Sequence, residues 1–209
     1  MFKAKVRATL LALALPLLLN ATHILKDDIL KLEASQLINE IGDELFSKTG
    51  INGYVIATNE RFPVGFNLVE YSKKYEERMS KPYVLFIFAP QASITEEIEM
   101  KGRVGLIPSS DDLRSLYDYN AVRDAAVDIV STKDKNTDED KHNIGVIQAY
   151  SELADDIAES KGIELTKTIP NETRYMVWGL SVFVYIGSIL VLWLFAIRPI
   201  YMRIKNGKK

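Results

Sequence analysis

Apolar residues recur along this chain with different spacings, and each spacing predicts a different kind of element. Leu30, Ala34, Leu37, Ile41 and Leu45 follow one another at three- and four-residue steps, the period of one helix face. Asp27 and Asp28 stand ahead of that face, where acids suit the positive helix end, and Gly50 is a natural stop. "GYVIATN", 53–59, is short, apolar and β-branched, and predicts a buried strand. "NLVEYSKKYEERMS", 67–80, returns to a helical period and ends ahead of Pro82. "YVLFIFAP", 83–90, is apolar without interruption, which predicts a strand covered on both faces. "EIEMKGRVGLI", 97–107, puts Ile98, Met100, Val104 and Leu106 on one face and predicts its antiparallel neighbour, kinked at Gly102.

The remainder is helical in period. Asp111 and Asp112 open a helix carrying Leu113, Leu116, Tyr117, Val122, Ala126, Ile129 and Val130. After a charged loop at 131–141, a second helix carries Ile144, Ile147, Tyr150, Leu153, Ala154 and Ile157, and Gly162 stops it. The order is helix, strand, helix, strand, strand, helix, helix. It predicts an α/β fold: a small mixed β-sheet with helices on both faces, an α/β/α sandwich.

The two ends of the chain follow neither pattern. Residues 1–21 begin with Lys3, Lys5 and Arg7, continue through "ATLLALALPLLL" and end on small residues, the layout of a secretory signal peptide. "YMVWGLSVFVYIGSILVLWLFAI", 175–197, has no charged side chain, which predicts one C-terminal transmembrane helix. Tyr175, Trp178 and Trp193 lie near its ends, where amphipathic rings prefer the interface. Arg198, Arg203, Lys205, Lys208 and Lys209 make 198–209 a basic tail, which places the C-terminus in the cytoplasm. Between the ends lie an exported domain, 22–165, and a polar stalk, 166–174. The expected location is a bacterial inner membrane, with the domain in the periplasm and a single-pass anchor.

Charge sharpens that division. All 28 acidic residues but only 18 of the 26 basic ones lie between 22 and 174, a net charge of −10. Such acidity excludes nucleic acid as a partner, because phosphates need a basic face. The absence of cysteine removes disulfides, thiolate nucleophiles and cysteine-ligated zinc.

The chain resembles the TPM domain family (TLP18.3/Psb32/MOLO-1-like). The resemblance rests on the leading amphipathic helix, "NGYVIATNE", "EYSKKYEERM", the pair "YVLFIFAPQ" and "EIEMKGRVGLIP", and the closing "NIGVIQAYSELADDI", about residues 24–165. It implies an exported α/β/α domain on one C-terminal membrane helix. It also implies acid phosphatase activity as in some plant members, or photosystem-repair and receptor-accessory roles as in others. Arg103 and Gly105 of "GRVGLIPSSDD" match the family's Arg-containing strand, but its Gly-x-Gly turn is missing. Asp111, Asp112 or Asp118 could each stand for the family's helix-opening aspartate.

Candidate chemistry concentrates in "KDKNTDEDKH", 133–142. Asp134, Asn136, Asp138 and Asp140 alternate as oxygen donors do in a calcium loop, and make a candidate site for Ca2+ or Mg2+. An EF-hand also needs Gly at position 6 and Glu at position 12, where this chain has Glu139 and Gly145. Lys133, Lys135 and Lys141 partly neutralise the cluster, so a solvated loop is the alternative. The two histidines are His23, at the signal-peptide junction or the extreme mature N-terminus, and His142, beside Asp138 and Asp140. No nucleophile elbow, His-Glu-x-x-His or phosphate loop is present. Tyr71, Tyr75, Tyr117, Tyr119 and Tyr150 fit a core edge better than a binding surface. The expected function is a membrane-anchored binding or accessory module for an envelope protein or complex. The alternative is a metal-dependent acid-phosphatase-like hydrolase.

Overall fold

The structure, a computed structural model, describes residues 22–95, 101–170 and 172–198. The segment 1–21 expected to be a signal peptide, the tail from 199 onward, Ile98 and Met100 lie outside the described residues. The chain forms two compact units, residues 1–170 and 171–209.

Unit one holds a four-stranded mixed sheet: β1 (Ile24–Asp27), β2 (Asn52–Ala57), β3 (Tyr83–Ser93) and β4 (Lys101–Pro108), in that spatial order. β1, β2 and β3 run parallel, and β4 is antiparallel to β3. Among the described residues, unit one therefore opens on a strand, where the sequence pattern predicts a helix first. β1 is four residues long, too short for a period, and is held from outside itself: Val55 N donates to the His23 carbonyl (2.8 Å) and Asp28 N to that of Ala57 (2.9 Å). The expected kink at Gly102 coincides with a register shift between Ala89 and Ser93 and a positive φ of 109°.

β3 is buried on both sides, as its unbroken apolar run predicts. Val84, Phe86 and Phe88 join Val55 and Ala57 under α1 (Leu32–Thr49), α3 (Tyr119–Ser131) and α4 (Asp138–Glu159). Those helices contribute Ile38, Ile41, Leu45, Val122, Val146, Tyr150 and Leu153. Leu85 and Ile87 face the other way, with Tyr54 and Ile56, and are covered by Phe62, Leu68, Tyr71 and Met79 from the β2–β3 connection. The β1–β2 and β2–β3 connections step the same way across the sheet over opposite faces. They must have opposite hands, so one departs from the usual right-handed crossover.

Three predicted elements are redrawn by local hydrogen bonding. The helix expected over 67–80 is α2 (Leu68–Ser72) followed by a 3-10 turn, Lys73–Arg78. Asn67 caps α2 by accepting from Val69 N and Glu70 N, but the six residues of the turn bury no side chain, so nothing pays for a longer helix there. The helix expected from 111 is split into a 3-10 turn, Asp111–Leu116, and α3. Asp118 accepts from Asn120 N (2.8 Å) and starts α3 afresh. The charged loop ends earlier than its composition suggests, because Thr137 caps α4 by accepting from Asp140 N (3.1 Å).

Of the segment read as a stalk, residues 166–169 form a strap tied to unit one. The Glu44 carboxylate accepts from Thr166 N (3.0 Å), Thr166 Oγ1 (2.9 Å) and Lys167 N (2.9 Å). Farther along, Thr168 Oγ1 donates to Asp155 (2.8 Å) and Ile169 N to Ser151 Oγ (3.2 Å). The two carboxylates are tuned in opposite directions. Burial alone would raise Glu44, but the bonds from Lys48, Thr166 and Lys167 together bring it down to about 2. Burial, helped by the nearby Glu159, Glu152 and Asp156 charges, pushes Asp155 up to about 6 against its bond from Thr168.

The signs follow by linkage. Glu44 stabilises the fold above its ordinary 4.5, and that contribution is lost as pH falls toward 2. Asp155 binds its proton more tightly when folded, so its contribution is present below 3.8 and lost as pH rises toward 6. Asp155→Asn is expected to raise stability above this range and flatten the slope within it. Glu44→Gln is expected to lower stability at neutral pH and remove the acid loss. Urea midpoints measured against pH on both variants check the two signs, and a slope unchanged in either rejects its assignment.

Unit two is α5 (Glu172–Leu192), continued by a π-helical turn, Trp193–Ile197. The side chains of 172–181 lie outside the described ones, and with them the first part of the expected span. Among the described residues, no helix is long and apolar enough to cross a membrane.

Candidate functional site

Open α/β sheets bind ligands outside the carboxyl ends of their parallel strands. In unit one that edge collects the ends of β1, β2 and β3, with the loops that follow them. Two charged groups occupy it.

The first group centres on Lys26, the third residue of β1. Its ammonium pairs with Asp28 (3.1 Å) and with Glu60, from the loop after β2. Asp28 also accepts from Thr58 Oγ1 (2.9 Å) and Asn59 N (3.2 Å), and Glu60 from the Tyr71 hydroxyl (2.8 Å). Burial works against the charge on Lys26 and on Asp28, but the surrounding bonds win, holding the ammonium up and the carboxyl down. Glu60 is held down first by its bond from Lys26. Lys74 Nζ sits 3.7 Å from the centre of the Tyr71 ring, and Phe62, Phe66 and Tyr75 extend an aromatic shelf behind it.

The second group joins the loop after β1 to the start of α4. Asn143 donates to the Ile29 carbonyl (3.0 Å) and accepts from Lys31 N (2.6 Å). Lys31 Nζ reaches Asp140 at 2.5 Å, and that bond, with one from Thr137, holds the exposed carboxyl below its ordinary range. The stretch 133–142 is thereby brought to the same edge as Lys26, which its sequence position does not reveal.

The four candidate metal ligands are not presented together. Asp134 turns on its own loop, accepting from Asn136 N (2.9 Å) and Asn136 Nδ2 (2.9 Å), with Lys141 at 3.4 Å. Asp138 lies in the first turn of α4, and Asp140 is committed to Lys31 and Thr137. Among the described residues, no three His, Cys, Asp or Glu side chains form a group able to hold a metal ion. His142 packs edge-on against Phe88, and burial draws its imidazole down despite the nearby Asp138.

The other singled-out residues have structural partners. Arg103 donates to the Phe66 carbonyl (2.7 Å), Asp111 pairs with Arg114 (3.0 Å), and Asp118 caps α3. Tyr71 and Tyr150 are core residues as expected; Tyr119 is instead 42% exposed. An open cleft of about 460 Å3 lies at the opposite end of the sheet, lined by Ser115, Tyr117, Asp118, Asp156 and Glu159 among others. Sequence reasoning missed Lys26, Asp28 and Glu60 because ordinary surface charges share their spacing. His23, read in the sequence only by its place beside the expected signal-peptide junction, is buried.

Chemically, the edge offers paired charges, the buried residues Thr58 and Tyr71 with their hydroxyls, and an aromatic shelf. No protein-family model matches the chain, and no curated protein matches it.

Proposed function

We propose that this chain is a TPM-like domain exported on a signal peptide, anchored in a bacterial inner membrane by residues 175–197, and serving as a binding module for an envelope protein. The observation that carries the reading is the character of α5 and its π-helical turn. Phe183 is 77% exposed, Tyr185 71%, Ile189 68% and Phe195 78%. These residues lie on different sides of the helix, and a helix apolar all round needs an apolar environment. The strap adds to this. Only Pro170 and Asn171 lie in sequence between its last bonded residue, Ile169, and the start of α5.

The test is crosslinking on whole cells with the intact chain and with a variant whose residues 175–197 are removed. A partner recovered only with the intact chain supports the reading; identical recovery from both sinks it. The rival reading, a metal-dependent acid phosphatase, is met by assaying phosphomonoester hydrolysis by the full chain in detergent with calcium, magnesium, manganese and chelator. Metal-dependent turnover above buffer would replace the binding role with catalysis.

A further inference from the structure

His23 immediately precedes β1, and its ring is enclosed, with the residue 1% exposed. Three elements surround it. From α1, Asn39 Oδ1 accepts from His23 N (2.8 Å), and Asp43 Oδ1 lies 3.2 Å from Nε2. Gly42 makes room between them, since a Cβ there would fall 2.3 Å from the ring's Cγ. From β2 come the Gly53 carbonyl, 2.8 Å from Nδ1, and the Tyr54 ring, 6.0 Å away. From α4, the Tyr150 hydroxyl donates to the same Gly53 carbonyl (2.9 Å), and burial keeps that phenol protonated. The titratable groups facing the ring are therefore Asp43, Tyr54 and Tyr150.

Both ring nitrogens face acceptors, and this settles a proton count. The Gly53 carbonyl can only accept, so Nδ1 carries a hydrogen. The contact between Nε2 and Asp43 then needs a second proton, on either atom, because a lone pair and an ionised carboxylate repel. Asp43 is 47% exposed and is free to turn to water when that proton leaves. His23 is not, because Gly42, Tyr54 and Tyr150 hold the ring in place.

We propose that His23 Nε2 and Asp43 share one proton, and that this proton clamps the entry of β1 onto α1 and β2. Three residues beyond the clamp stands Lys26, the centre of the first charged group at the binding edge. Loss of the proton loosens the seat of β1, and the arrangement of Lys26 and Asp28 with it. The clamp belongs to the fold and stands independently of the proposed partner.

Asp43→Asn separates this device from ordinary packing. An asparagine amide can donate to the lone pair of a neutral ring, so the variant keeps the contact without the extra proton. The full chain in detergent micelles, labelled with 15N-histidine, carries only two imidazoles, and His142→Gln assigns them. The second readout is amide-exchange protection of Val55, whose N–H bonds the His23 carbonyl, corrected for intrinsic exchange. In the native sequence Nε2 is expected to be protonated. Val55 protection should fall in the step where Nε2 loses its proton, by up to about tenfold per pH unit. In Asp43→Asn, Nε2 should be unprotonated and Val55 protection flat across that step. Should Asp43→Asn not fold, His23→Gln carries the comparison, with flat Val55 protection expected. An unprotonated Nε2 throughout in the native chain, constant Val55 protection while it titrates, or an unchanged slope in the variant overturns the proposal.

Discussion

Phe86→Ala is expected to cost about 3–5 kcal/mol of folding stability, the range for deleting a fully buried phenylalanine ring. Phe86 sits in the middle of β3 with no exposure, paired to Val55 on one side and Leu106 on the other. Its ring joins the cluster in which Ile38, Ile41, Leu45, Tyr150 and Leu153 come down from α1 and α4. Neighbours anchored in a sheet and two long helices cannot collapse into the space, so the cavity cost adds to the transfer cost. Against a total stability of about 5–15 kcal/mol for a domain, the loss leaves a marginal fold. Phe86→Leu keeps most of the volume and should cost less than about 1.5 kcal/mol. Denaturant unfolding of the three chains checks the pair, and a cost under about 1 kcal/mol for the alanine variant would show that β3 is not the centre of the core.

Arginine at both Ile186 and Ile189 is expected to abolish membrane retention. Each charge near the middle of a spanning helix costs about 2.5–3.5 kcal/mol on an insertion scale, so the pair removes about 5–7 kcal/mol. Both residues are more than half exposed on α5, so neither substitution disturbs a packed contact within the helix. Fractionation of cells carrying the native and doubly substituted chains measures the outcome. The native chain should follow the membranes, even after an alkaline carbonate wash, and the variant should not. Equal distribution of the two would remove the anchor from the proposed function, leaving the fold of unit one untouched.

The contrast between these predictions reflects how the chain carries its information. The core of β3 was legible because eight successive apolar residues have no stable place except between two covered faces. The stop at Gly50 was legible for a local reason too: the chain turns there at a φ of 73°, which glycine adopts without strain. β1 was not legible, because four residues carry no period and their bonds come from β2. The strap was hidden for the same reason. Thr166 and Thr168 read as polar linker, and the carboxylates that bind them lie at Glu44, on α1, and Asp155, on α4.

Charge told the least about its own use. The acidic alternation of 133–142 drew attention as a cation loop, yet Asp140 turns to Lys31, more than a hundred residues away in sequence. Gly42 reads in sequence as a poor helix residue, and only the structure shows it giving space to an imidazole.

By itself, then, the sequence determined what depends on neighbours along the chain: the long helices, the central strands, the apolar C-terminal segment and the acidic balance of the middle. Tertiary structure decided the edge strand, the clamp at His23, the strap and the pairing of Lys26 with Glu60. Each of these joins groups at least 13 residues apart. Periodicity and capping act over a few residues, whereas a hydrogen bond or an ion pair depends only on where folding brings its two ends.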